Sequence, residues 1–77
     1  MTLEGRMERL AVNSSNLASV GYDEERSTLE VEFNSGYVYL YYGVSPHHFT
    51  ALMSSRSVGT YFDRTIRKGR FRYRQVS

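Results

Sequence analysis

The stretch TLEVEFNSGYVYLYY, residues 28–42, contains two runs of β-type sequence separated by a turn. In the first run three apolar side chains alternate with two glutamates: Leu29, Glu30, Val31, Glu32 and Phe33. A period of two residues is typical of a β-strand that buries one face. Asn34-Ser35-Gly36 is a turn sequence. The stretch therefore predicts a β-hairpin in which residues 37–42 return antiparallel to residues 28–33.

The length of the hairpin loop decides where the tyrosines of the second strand lie, because a shift of one residue turns every side chain to the other face. A three-residue loop that ends in a left-handed Gly36 sets Tyr39 opposite Val31 and Tyr41 opposite Leu29, on the buried face. A two-residue loop, Ser35-Gly36, turns both tyrosines outward beside the glutamates. We expect the first arrangement, with both tyrosines mostly buried.

Further strands and helices are predicted on either side of this hairpin. Residues 17–22 alternate as a strand, with Ala18, Val20 and Tyr22 on one side. Ser45-Pro46 begins a helix, since a hydroxyl residue caps it and proline suits the first helical position. Its apolar face consists of Phe49, Leu52 and Met53.

A second helix is predicted to begin at Ser57 and to end at Lys68-Gly69. Its apolar stripe has helical spacing: Val58, Tyr61, Phe62, Thr65 and Ile66. Gly59 costs this helix about 1 kcal/mol relative to alanine, and we expect it to allow the close approach of another element. Residues 71–74 then alternate aromatic with basic side chains, as an extended segment does. The predicted fold is α+β, a small antiparallel meander of at least three strands packed against two short helices.

Length and composition indicate one small domain. We expect residues 1–6 to form a loose tail and residues 7–77 a single domain. The absence of cysteine excludes disulfides and thiolate metal sites. No apolar run approaches the roughly 20 residues that a membrane span needs, and the first nine residues do not form a signal peptide. We therefore predict a cytoplasmic protein.

Catalytic and metal chemistry find little support in the sequence. His47 and His48 are neighbours on a helix and point about 100° apart, so they do not readily chelate one metal ion. The serines lie in no nucleophile motif, and no glycine-rich phosphate loop is present. Asn13-Ser14-Ser15-Asn16 is expected to form turns through bonds from side chains to the backbone. We predict no enzymatic activity, no metal and no cofactor.

The charge is unevenly distributed along the chain. Residues 1–35 carry three basic and seven acidic side chains, a net charge of −4, whereas residues 60–77 carry six basic and one acidic side chain, a net charge of +5. Clustered positive charge favours anionic partners. The alternative is that the basic segment docks on the acidic half of its own domain.

The segment from Tyr61 to Arg74 has the composition of a nucleic-acid-binding surface. Guanidinium groups hold phosphates, and aromatic rings stack on unpaired bases. The candidate phosphate-binding residues are Arg64, Arg67, Lys68, Arg70, Arg72 and Arg74. Tyr61 and Tyr73 are the candidate stacking residues, and Tyr39 and Tyr41 join them only if they are exposed.

Several of these motifs, in the same order, resemble the KTSC domain, a module found at the C-terminus of some bacterial lysyl-tRNA synthetases and in stand-alone bacterial and phage proteins. The resemblance covers most of the chain, from Val12 to Tyr73. Its motifs are Ser14-Ser15-Asn16-Leu17, Val20-Gly21-Tyr22-Asp23, the strand of residues 29–33, the central pair Tyr39 and Tyr41 of a Y-x-Y motif, Ser57-Val58-Gly59, Tyr61-Phe62, Ile66-Arg67 and Phe71-x-Tyr73. Arg72 stands where the family usually has proline, so the last segment is more basic and more able to pair as a strand.

The resemblance implies little about activity, and RNA binding is suggested for the family largely by its attachment to a synthetase. Together with the basic aromatic segment, it predicts a nonenzymatic module that binds RNA or single-stranded nucleic acid. The alternative is a protein-interaction module that binds a protein partner or forms a homodimer through a free sheet edge or the face of Val38, Leu40 and Tyr42.

Overall fold

The computed structural model describes residues 8–77 as a five-stranded antiparallel sheet and two helical elements. The strands are β1 (Arg9–Ala11), β2 (Leu17–Asp23), β3 (Thr28–Phe33), β4 (Val38–Tyr42) and β5 (Arg72–Gln75). The helices are α1 (Pro46–Ser54) and α2 (Val58–Tyr61), and α2 continues directly into a π-helix, Phe62–Arg67. The strand order β1-β2-β3-β4-β5 is a meander whose last strand follows the helices. The predicted α+β meander is confirmed, and β1 and β5 extend it beyond the three strands that the sequence required. The predicted tail, residues 1–6, lies outside the described residues.

The central hairpin has the three-residue loop. The backbone N–H of Phe33 donates to the carbonyl of Tyr37 at 2.9 Å, and the N–H of Gly36 donates to the carbonyl of Phe33 at 2.8 Å. Gly36 has a φ of 100°, a left-handed conformation that glycine adopts without steric cost. Val31 is therefore opposite Tyr39, and Leu29 is opposite Tyr41. Both tyrosines consequently lie on the face of the sheet that the helices cover.

The core lies between this face of the sheet and the helices. Its buried residues are Leu17, Val20, Leu29, Val31, Tyr41, Val44, Leu52, Phe62 and Ile66. The predicted pattern of β2 was wrong at its start, because a bulge between Leu17 and Ser19 adds a residue to the strand. Leu17 instead of Ala18 therefore shares the buried face with Val20.

Both helices begin as predicted. Ser45 caps α1, since its side chain accepts a hydrogen bond from the backbone N–H of His48, and Ser57 caps α2 by accepting from that of Thr60. The π-helix keeps Phe62 and Ile66 in the core. Segments of this kind are rare and are often found at functional sites.

β5 forms one edge of the sheet, and its four residues are all exposed. It pairs with β4 so that Tyr73 is opposite Tyr41 and Arg74 is opposite Leu40. Tyr73 thus lies on the helix-covered face, whereas Arg72 and Arg74 lie on the other face, called the outer face below. Within residues 8–77 neither helical element is long and apolar enough to cross a membrane.

Candidate functional site

An open groove of about 730 Å³ lies at the end of the sheet where the β3–β4 hairpin turns. Grooves of a few hundred to about 1,000 Å³ are the usual size for ligand sites. The lining is aromatic on one side and polar on the other: Ser15, Asn16, Phe33, Asn34, Ser35, Tyr37, Tyr39, Tyr41, Arg67 and Tyr73. We refer to this site as the aromatic groove.

Three tyrosines from neighbouring strands form a cluster in the aromatic groove. The ring centroids of Tyr39 and Tyr41 are 6.3 Å apart, and that of Tyr73 lies 6.0 Å from Tyr39 and 5.7 Å from Tyr41. Tyr41 is 6% exposed and Tyr39 is partly buried against the core, whereas Tyr73 is 64% exposed. The expectation that both tyrosines of the Y-x-Y pair lie mostly buried opposite Val31 and Leu29 is therefore confirmed, with Tyr41 more deeply buried than Tyr39. The ring of Tyr39 packs against the core and also lines the groove.

The aromatic groove rests on the core. The ring of Phe33 meets those of Tyr39 and Phe62 edge-on, with centroids 5.6 and 5.7 Å apart, and Tyr41 meets Phe62 in the same way at 5.4 Å. Edge-to-face contacts of this kind stabilise aromatic pairs by roughly 1 kcal/mol beyond the area they bury. The packing therefore holds the inner rings in place while it leaves Tyr73 accessible.

The polar side of the groove is built by two loops that bond to each other. The side-chain oxygen of Ser14 accepts the backbone N–H groups of Asn16 and Leu17 at 3.1 and 3.2 Å, which confirms the predicted turn at residues 13–16. Asn34 donates its backbone N–H to the carbonyl of Asn16 at 2.8 Å and its side-chain amide to the carbonyl of Ser14 at 3.2 Å. Sequence reasoning identified both turns but did not bring them together.

Arg67, the last residue of the π-helix, is the cation in the lining of the aromatic groove. Its Nη1 donates to Oδ1 of Asp63 at 3.0 Å, and its side chain is 65% exposed. Exposed ion pairs are worth at most about 1 kcal/mol. Arg67 therefore remains able to take a phosphate in place of Asp63.

Burial raises the pKa of the Tyr41 hydroxyl, and the nearby Tyr39 and Tyr73 raise it further, while Arg67 opposes them. A tyrosine with a raised pKa is neutral at physiological pH. Tyr41 thus adds a neutral hydroxyl and no negative charge to the groove.

The structure brings four of the predicted site residues together and separates the others. Tyr39, Tyr41, Arg67 and Tyr73 line the aromatic groove. The remaining cations of the predicted set are exposed: Arg64, Lys68, Arg70, Arg72 and Arg74. Arg72 and Arg74 lie on the outer face of the sheet, opposite Leu40 and Tyr42 and away from Tyr73. Tyr61 is half-buried against the core and does not line the groove.

The basic segment does not dock on the acidic strand of its own domain. Glu30 and Glu32 instead face Arg9, whose side-chain nitrogens lie 3.4 and 3.9 Å from their carboxylates. Among residues 8–77, Lys68 and Arg67 pair with Asp63 of the same helix, and no carboxylate lies within 4.0 Å of the other arginines of the basic segment. Within the described residues, these arginines therefore have no acidic partner.

The described part of the chain holds no group of three or more histidine or acidic side chains placed to bind a metal ion. His47 and His48 have ring centroids 6.3 Å apart, and the ring of His48 packs edge-on against Phe71 at 5.8 Å. His48 therefore has a packing role in the hydrophobic region between α1 and the last strand.

Comparison with known proteins gives one family. The sequence model of the KTSC domain matches residues 13–73. An uncharacterised protein of Stutzerimonas stutzeri is 41% identical over 70 residues, which are 91% of this chain and 99% of that protein. A protein named lysine–tRNA ligase from Nostoc punctiforme is 35% identical over 68 residues, 88% of this chain but 12% of the ligase.

A solved structure shares the fold. The crystal structure of a KTSC domain protein from Yersinia pestis superposes with a TM-score of 0.85 and is 38% identical, covering 94% of this chain and all of that protein.

Proposed function

The chain belongs to the KTSC domain family, and we propose that it is a small nonenzymatic module that binds RNA or single-stranded nucleic acid in its aromatic groove. The proposal rests on one observation above all. Three tyrosine rings from adjacent strands and one arginine line the same open groove.

The arrangement of the rings favours unpaired bases. A base that is stacked in a duplex has no free face, whereas an unpaired base can stack on an exposed aromatic ring for about 1–3 kcal/mol. Tyr73 offers such an exposed ring in the groove, and the rings of Tyr39 and Tyr41 pack against it. The amides of Asn16 and Asn34 supply a polar wall to which the edge of a base can bond.

Charge and family membership support the same proposal. Arg67 would hold a phosphate beside the stacked base, and Arg64, Lys68 and Arg70, which are exposed, lie within three residues of it along the chain. Arg72 and Arg74 would join only where a bound strand continues past β5 to the outer face. In one relative, a protein named lysine–tRNA ligase, the matching region makes up 12% of the chain. The name of that relative indicates that it acts on an RNA. A cytoplasmic location is part of the same proposal.

A binding titration tests the proposal. A labelled 12-nucleotide RNA of mixed sequence is titrated with the protein at several salt concentrations, with a duplex of the same sequence as competitor. We expect the single strand to bind more tightly than the duplex, and Tyr73→Ala to lower the affinity by about 5- to 150-fold. Leu10→Ala, which removes an exposed apolar side chain at the opposite edge of the sheet, is the matched control and should bind as the wild type does. Absence of binding to single-stranded RNA and DNA even at low salt would contradict the proposal.

The alternative function, a protein-interaction module, is favoured by a different observation, the open edge of β5. The face of Val38, Leu40 and Tyr42 offers less for self-association, because Val38 is only 8% exposed and the other two side chains are half-buried.

A further inference from the structure

β5 pairs with β4 on one side, and within residues 8–77 no strand pairs with its other side. The N–H of Val76 donates to the carbonyl of Val38 at 2.8 Å. In an antiparallel ladder the residues that bond to a given neighbour alternate along the strand. Arg72 and Arg74 therefore direct their backbone groups toward β4, and Tyr73 and Gln75 direct theirs outward. The edge consequently offers two N–H groups and two carbonyls in the spacing that another strand needs.

The side chains along this edge are divided between the two faces of the sheet. Tyr73 and Gln75 lie on the groove face, and Arg72 and Arg74 lie on the outer face. Edge strands with charged side chains resist pairing with copies of themselves. Antiparallel pairing of two β5 strands centred on Tyr73 would set Arg72 against Arg74, and pairing centred on Arg74 would set that arginine against itself. Like charges directly opposite each other destabilise a strand pair. A second copy of this strand is thus a poor partner.

The same edge suits a strand of opposite charge. Acidic residues at alternate positions of an added strand would face Arg72 and Arg74, and the residues between them would lie beside Tyr73 on the other face. The outer face of this sheet already contains ion pairs of this kind between strands, since Arg9 of β1 lies close to the carboxylates of Glu30 and Glu32 of β3. The arginines of β5 have no such carboxylate within residues 8–77.

We propose that the β5 edge is a docking site for an extended acidic peptide, in which glutamate or aspartate alternates with apolar residues and which adds a sixth strand to the sheet. Main-chain hydrogen bonds to Tyr73 and Gln75 give the affinity in this mode of binding, and the charge pattern gives the specificity. The partner is a protein segment, and the site is separate from base stacking in the groove.

The test uses a blocked peptide of sequence Thr-Glu-Val-Glu-Val-Glu-Thr and the same peptide with lysine in place of glutamate. Binding is followed by amide chemical shifts and by hydrogen exchange of the whole chain. We expect the acidic peptide to bind at least about tenfold more tightly than the lysine peptide, and to protect the amides of Tyr73 and Gln75 from exchange.

Charge reversal separates pairing at this edge from general attraction. Arg72→Glu combined with Arg74→Glu should invert the preference in favour of the lysine peptide. The matched control is Arg26→Glu combined with Arg56→Glu, which changes the net charge equally at two exposed arginines outside the strands and should keep the preference for the acidic peptide. Circular dichroism of each variant confirms that it is folded.

Three results would overturn the proposal. The first is unchanged exchange at Tyr73 and Gln75 with millimolar acidic peptide. The second is an equal loss of acidic-peptide binding in both double variants, which would indicate attraction without pairing. The third is protection of these amides in the free protein that increases with its concentration, which would make a second copy the occupant.

Discussion

The side-chain oxygen of Ser14 lies 2.7 Å from the position that a Cβ atom on Gly59 would take. α2 therefore approaches the loop before β2 so closely that any larger residue at this position must displace the Ser14 hydroxyl. The same oxygen accepts the two backbone N–H groups that shape the polar wall of the aromatic groove. Gly59, predicted from the sequence as a point of close approach, is thus coupled through one hydroxyl to the geometry of the site.

Gly59→Ala should destabilise the wild-type protein by about 1–2 kcal/mol, because the new methyl group displaces Ser14 from its turn. In a protein that already carries Ser14→Ala, the nearest Ser14 atom left is Cβ at 3.9 Å, an ordinary contact. There Gly59→Ala should be neutral or stabilising by up to about 1 kcal/mol, since alanine is the better helix former. Urea denaturation of the four proteins of this cycle measures the difference. Equal effects of Gly59→Ala in both backgrounds would show that the two residues are not coupled.

The two tyrosines of the Y-x-Y motif should differ in their contribution to stability. Tyr41→Ala removes a buried ring that packs on Phe62 and should cost about 3–5 kcal/mol. Tyr39→Ala removes a half-buried ring and should cost about 1–2 kcal/mol. Chemical denaturation checks both values. If the Tyr39 variant is as unstable as the Tyr41 variant, Tyr39 belongs to the core and not to the groove.

The sequence predicts the fold well where the signal is local. The register of β3 with β4 follows from the alternation of Leu29 and Val31 and from a single glycine at position 36. The caps of both helices follow from Ser45 and Ser57. Arg72 has the backbone N–H that a proline would lack, and it pairs with Tyr42 in the sheet.

The groove depends on contacts between residues far apart in the chain, which no local pattern encodes. Asn34 bonds to Asn16 across 18 positions of sequence, and the bulge after Leu17 leaves no clear mark in the composition. The separation of Tyr73 from Arg72 and Arg74 follows from strand alternation. That Arg67, alone of the six cations, lines the groove follows from the docking of the helix on the sheet, which the local sequence does not encode.

The raised pKa of Tyr41 predicts a loss of stability at alkaline pH. Its hydroxyl is neutral in both the folded and the unfolded state below the ordinary tyrosine pKa of about 10, so its contribution there is constant. Above that pH the unfolded chain ionises Tyr41 while the folded protein still holds the proton, and the free energy of unfolding falls until the pH exceeds the folded-state pKa. Tyr41→Phe keeps the ring and removes this titration. Denaturation at pH 8 and pH 11 should therefore show a smaller loss for the variant than for the wild type, and an equal loss would mean that Tyr41 titrates normally.

Salt dependence should distinguish the cation in the groove from the arginines on the outer face. Each phosphate contact contributes about −0.7 to the slope of log affinity against log salt concentration for a single strand. Arg67→Gln should therefore flatten the slope by about 0.7 and weaken binding at low salt, because this side chain lies beside the stacking rings. Arg72→Gln combined with Arg74→Gln should change the slope little, since both side chains lie on the other face of the sheet. Arg56→Gln, which replaces an exposed arginine between the two helices, is the control for net charge.

The measurement is a titration of the labelled 12-nucleotide RNA between about 50 and 200 mM salt, with thermal melting of each variant to confirm folding. A flattening of about 1.4 in the double variant, with none in Arg67→Gln, would move the phosphate contacts to the outer face and leave the aromatic groove without a role in binding the strand.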